Sequence, residues 1–122
     1  MKYIITESKI NKLVSNYLDG QKWYTWDIGD GEFNVADGEY GKDVIHYRIQ
    51  ESITVPDRMF DLIYVDGMFV TRLSKLFGLE AVRDVNPLVV NWFNKKYNKN
   101  LNKDDWEWMD NDNEEEDDED NN

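Results

Sequence analysis

One histidine, no cysteine and a terminal run of carboxylates limit the chemistry open to this 122-residue chain. His46 stands in an alternating run beside Tyr47 and Arg48, and no nucleophile or orienting acid is announced by spacing. A satisfied structural histidine is therefore the expectation, and the catalytic set is empty. The absence of Cys excludes disulfides and thiolate metal sites, and fits a reducing compartment. Asp27-x-Gly29-Asp30-Gly31 and Asp110-Asn111-Asp112-Asn113-Glu114 are superficially similar to calcium loops. The first lacks alternating oxygen ligands, and the second lacks a central glycine and a following helix, so no metal site and no cofactor is expected. Asp27, Asp30, Glu32 and Asp37 fall at hairpin ends, where solvated turns account for them. The seven glycines form no phosphate-cradling loop.

The strongest chemical signal is charge. Residues 104–122 hold 12 carboxylates and no Lys or Arg, whereas the other 103 residues balance at 14 acidic and 14 basic groups. The net charge of −12 thus belongs to one segment. Within the rest, residues 1–71 sum to −5 and residues 72–103 to +5. A block of like charges without apolar periodicity cannot bury enough surface to offset ordering, so a disordered acidic tail is expected from about residue 110. The division is a folded domain at 1–103 and an acidic tail at 104–122. Trp106 and Trp108 alternate with acids at the start of that tail and are candidate apolar anchors. With Asp110, Asp112, Glu114, Glu115, Glu116, Asp117 and Asp118 they form the expected partner-binding set. Lys95, Lys96, Lys99 and Lys103 form a possible basic face immediately before it.

The elements that must position these groups follow from periodicity. Thr6 as N-cap, apolar residues at Ile10, Leu13, Val14, Tyr17 and Leu18, and a stop at Gly20 predict a helix over Glu7 to Asp19. Aromatic-rich runs at Lys22 to Ile28, Glu32 to Ala36 and Lys42 to Gln50, separated by Gly29-Asp30-Gly31 and Asp37-Gly38, predict strands. A further strand is expected at Phe60 to Val65, turning at Asp66-Gly67 into Met68 to Thr71. Leu73, Leu76 and Phe77 before Gly78 describe a short helix. Asn86 and Pro87, as N-cap and N1, open another through Val89, Val90, Phe93 and Tyr97. The fold class is α+β: an N-terminal helix, an antiparallel meander of about four or five strands, and C-terminal helices covering one face.

The opening Lys2-Tyr3-Ile4-Ile5-Thr6-Glu7-Ser8, with Leu73 to Phe77-Gly78 and Val89 through Trp92-Phe93, resembles small uncharacterised proteins of tailed bacteriophages. The resemblance implies a viral origin and carries no activity. It places the expected setting in the cytoplasm of a host cell, with virion association open. The apolar start at Tyr3 to Ile5 is far shorter than a signal-peptide core, and no run approaches a membrane span.

Two functions of different class are consistent with these features. The first is a non-enzymatic interaction protein whose acidic tail engages a basic surface of a protein partner, with inhibition of a host nucleic-acid-binding or defence protein as one form. The second is a single-stranded nucleic-acid binder with an autoinhibitory tail. It would use Trp23, Tyr24, Trp26, Phe33, Tyr40 and Tyr47 as stacking platforms.

Overall fold

Helix α1 occupies Glu7–Asp19 in the computed structural model, which describes residues 7–38 and 42–109. Its 3.6-residue period turns Val14 and Leu18 into the core, while Leu13, expected on the same face, is half-exposed. The Gly20 amide lies 3.1 Å from the Asn16 carbonyl and 3.2 Å from that of Tyr17, which ends the helix. Thr6 lies outside the described residues.

Strands β1 (Trp23–Gly29) and β2 (Glu32–Asp37) form a hairpin whose turn residues Asp30 and Gly31 have φ of 58° and 82°. A two-residue turn of this hand needs positive φ at both positions, the reason Asp-Gly occurs there. Strand β3 (Lys42–Glu51) pairs antiparallel with β2 and with β4 (Met59–Val65), in registers that set Tyr47 beside both Phe33 and Ile63. Phe33, Val35, Ile45, Tyr47, Ile63 and Val65 share one face by pleat alternation. The helices pack on that face.

After β4 the structure departs from expectation. Met68 to Thr71 is not a strand: helix α2 spans Gly67–Phe77, and Asp66 caps it by accepting the Phe69 amide at 3.1 Å. An Asp-Gly pair serves a hairpin turn or a helix start equally well. Here the apolar spacing of Phe69, Val70 and Leu73 on one helix face decides. Gly78, at φ 64°, forms the expected left-handed C-cap. A π-helical turn, Ala81–Val85, then runs into helix α3 (Asn86–Tyr97). Asn86 is therefore not an N-cap. Glu80 caps the continuous helical run by accepting the Arg83 amide at 2.8 Å, and Asn86 is fully buried.

The fifth strand, β5 (Trp106–Trp108), comes from beyond Lys103 and pairs parallel with β4. The sheet is thus mixed, in the order β1-β2-β3-β4-β5, and not the antiparallel meander expected. Pairing crosses the position at which the charge count changes. The expected disorder of the tail falls outside the described residues. The core lies between the sheet and the helices, where Phe93 of α3 stacks on Phe33 at 5.9 Å and on Tyr47 at 5.8 Å. Burying each such aromatic or aliphatic side chain contributes about 1.5–3 kcal/mol. No described helix is long and apolar enough to cross a membrane.

Candidate functional site

Strand β5 positions the two tryptophans at the head of the acidic run. The Ile63 amide donates to the Asp105 carbonyl at 3.2 Å and the Met109 amide to that of Val65 at 2.8 Å, so the segment is held at both ends. Both indoles project to the helical side, with ring centroids 5.0 Å apart at 79°. The shared register divides their roles. Trp106, beside Ile63, packs on the core; Trp108, beside Val65, is 43% exposed. Glu107 points to the opposite face and is exposed. Of the expected partner-binding residues, Asp110, Asp112, Glu114, Glu115, Glu116, Asp117 and Asp118 lie outside the described residues.

Beside Trp108 opens a groove of about 760 Å³ along α2, lined by Val44, Met68, Phe69 and Ala81 and edged by Lys42, Arg72 and Lys75. Two buried carboxylates brace it. Asp66 lies 3.6 Å from the Lys42 ammonium, and Asp37 3.3 Å from the Arg72 guanidinium. Reading α2 as beginning with a strand concealed this groove, because strand alternation scatters residues that a helix places on one side.

The four lysines do not make one basic face. Lys95 and Lys96 are exposed in the last turn of α3, where they complement its dipole. Lys99 turns inward, its ammonium 4.6 Å from the Tyr47 ring centroid and 6.0 Å from that of Phe33, a cation–π arrangement. Lys103 is exposed in the connection to β5. Under Lys99, the Tyr47 hydroxyl donates to Asp61 at 2.6 Å. Burial, then the adjacent Asp61 carboxylate, pushes the Tyr47 phenol up and keeps it neutral. No spacing could have announced this pair, because Asp61 reaches Tyr47 only through β3–β4 register.

Among the described residues, no helix covers the other sheet face. Along it Trp26, Asn34, His46 and Tyr64 stand side by side on successive strands. The His46 Nε2 lies 3.4 Å from an Asp43 carboxylate oxygen. Burial lowers the imidazole pKa, Arg48 lowers it further, and Asp43 partly opposes both. Arg48 itself donates to Asn34 Oδ1 at 3.1 Å. Tyr24 and Trp26 are exposed here, whereas Trp23, Phe33 and Tyr47 belong to the core face and Tyr40 lies outside the described residues. The stacking platform and the α3 lysines therefore occupy opposite sides of the sheet. The turn carboxylates do not converge either: Glu32 accepts the Ile49 amide at 2.8 Å, and Asp37 is bound to Arg72 at the far end of β2. Among the described residues, no three His, Asp or Glu side chains are placed to hold a metal ion.

No protein-family model, curated protein or solved structure matches this chain.

Proposed function

We propose that this chain is a non-enzymatic interaction protein that presents its acidic C-terminal run to a basic surface of a protein partner. The observation that carries this reading is the exposed Trp108 ring, held by β5 where the carboxylate run departs. Charge alone makes a transient contact, since at physiological salt such attraction decays over about 8 Å. An aromatic anchor beside the charges adds apolar contact that salt does not screen. In this reading Trp106 holds the strand, Trp108 contacts the partner, and Asp110, Asp112 and Glu114 to Asp118 supply the charge.

Inhibition of a host nucleic-acid-binding or defence protein by charge mimicry is the form we favour, in keeping with the resemblance to phage proteins. The two internal segments that carry that resemblance also have roles in packing: Gly78 caps α2, and Trp92 and Phe93 are buried.

The test compares capture from a nuclease-treated bacterial lysate by the full chain, a form ending at Met109, and Trp108→Ala. Ending at Met109 retains β5. The shortened form is expected to lose the captured partner, and Trp108→Ala to weaken it about 5- to 30-fold with the salt slope retained. Unchanged affinity and salt dependence on shortening would overturn the reading. If shortening instead tightens binding of a single-stranded oligonucleotide, the protein is a nucleic-acid binder restrained by its own acidic run. Exposed Tyr24 and Trp26, on the same sheet face as Arg48, support that alternative.

A further inference from the structure

The groove beside Trp108 combines an apolar base with a charged rim. Met68, Thr71, Arg72 and Lys75 reach it from α2, at the three- and four-residue spacing that sets side chains on one helix face. Buried Val44 and Phe69 lie at its base, and Trp108 lines it from β5. Met68 and Trp108 are 73% and 43% exposed there. Large apolar side chains exposed around a concavity, with a few charged groups at its edge, are the ordinary make-up of a ligand site. The volume of about 760 Å³ also suits a small molecule, for which sites run from roughly 300 to 1,000 Å³.

Three cations edge the groove, and two are matched within the fold. Lys42 lies 3.6 Å from Asp66 and Arg72 lies 3.3 Å from Asp37, and both carboxylates are buried. The β2–β3 register sets Asp37 opposite Lys42, so the two ion pairs are neighbours. Lys75, three residues beyond Arg72 on the same stripe, is exposed and has no ion pair among the described residues. These five groups sum to one positive charge beside an apolar surface.

We propose that the groove binds a small monocarboxylate with an aliphatic body, its chain lying along α2 against Val44, Met68 and Trp108 and its carboxylate at Lys75. Met68 and Lys75 are about 10 Å apart along the helix at 1.5 Å per residue, the reach of a medium-chain acyl group. The unbranched Met68 side chain adapts to such a chain. Two other occupants match less well. Residues 110–122 supply carboxylates but no apolar side chain, so the chain's own acidic run would leave the base of the groove unfilled. A second copy docked by the same face would set one cationic rim against another. The inference goes beyond the role given to the acidic run and does not rest on it. Trp108 is the residue the two share.

The experiment titrates octanoate into the full chain to about 5 mM, a range that covers weak ligands, and follows methyl and indole NMR signals. Octanol and acetate serve as the body without the charge and the charge without the body. Octanoate is expected to bind with a Kd of about 1 mM or tighter, and to shift the Val44, Met68 and Ala81 methyls and the Trp108 indole. Octanol should bind more weakly, and acetate should leave these signals in place. Lys75→Gln should weaken octanoate about 2- to 5-fold, the range of an exposed ion pair, and leave octanol unchanged. Met68→Ser should weaken both. Each side chain is exposed, so neither variant should move the melting curve. Equal binding of octanoate and octanol, equal loss of both in Lys75→Gln, shifts centred away from the groove, or no shift at all would overturn the proposal. Binding by the form ending at Met109 but not by the full chain would assign the groove to the acidic run. Ligand-free shifts of the same methyls with protein concentration would assign it to a second copy. Either result overturns the proposal as well.

Discussion

The two edges of the sheet are built to opposite specifications. β5 is three residues long, pairs parallel with β4, and leads from Met109 into a run of carboxylates. β1 is more than twice as long, carries a single charge, and exposes three large apolar side chains. One edge is guarded by shortness and like charge, and the other meets no described strand. A net charge of −12 therefore says little about which surface of this protein resists association, because protection of a strand edge is local. Each edge carries one tryptophan packed on the core and another exposed to solvent, and the packed ones should dominate stability.

Trp23→Ala tests that claim most severely. The Trp23 indole donates to the Leu18 carbonyl at 2.7 Å and packs 5.0 Å from Trp92 and 6.0 Å from Phe69. Its loss should cost about 3 kcal/mol in chemical denaturation, and a cost below about 1 kcal/mol would mean that β1 is held by backbone pairing alone. Trp106→Ala should cost less, about 2 kcal/mol, because the ring is only partly enclosed. Hydrogen exchange at the Ile63 amide, which donates to Asp105, should accelerate in that variant. Between the edges, His46 provides a pH test. Its folded pKa lies below the ordinary 6.5, so the unfolded chain takes up the proton more readily. Stability is full above about pH 6.5 and declines as the pH falls through the folded value, and His46→Gln should flatten this decline in a pH series of melts. The smallest effect is expected from Trp26→Thr. It should change stability by no more than about 0.5 kcal/mol, since its ring is 47% exposed. A large cost there would mean that the open face is covered.

Tyr97 behaves oppositely in alkali. Burial raises its phenol to about 12, and its buried hydroxyl has no hydrogen-bond partner among the described residues. The stability contributed is present below the unfolded pKa of 10 and is lost as the pH rises toward 12. Tyr97→Phe should remove this alkaline dependence in the same melts. At neutral pH it should be neutral or stabilising by up to about 1 kcal/mol, because an unsatisfied buried hydroxyl disappears.

Much of the framework was legible where periodicity and caps agree. Helix α1 occupies the expected Glu7–Asp19, and β1 to β4 lie within about a residue or two of the runs marked out by alternation and turn glycines. Legibility failed where one local signal serves two structures. Asp66-Gly67 starts a helix as readily as it turns a hairpin, and Asn86-Pro87 lies inside a helical run that begins earlier, at a cap supplied by Glu80. It failed again at Trp106 to Trp108. Alternation with acids is compatible with a strand, but a three-residue strand becomes stable only against the edge that β4 offers.

Composition and spacing alone determine that this chain makes helices and strands sharing one core, and that its charge excess resides in residues 104–122. These properties are set by each residue's own chemistry and near neighbours. Only the tertiary structure decides which aromatics face solvent, that Lys99 caps a tyrosine ring, and that one tryptophan of β5 is a structural peg while its neighbour is open. Those outcomes depend on register between segments many residues apart, where shifting a strand by one position exchanges its buried and exposed faces.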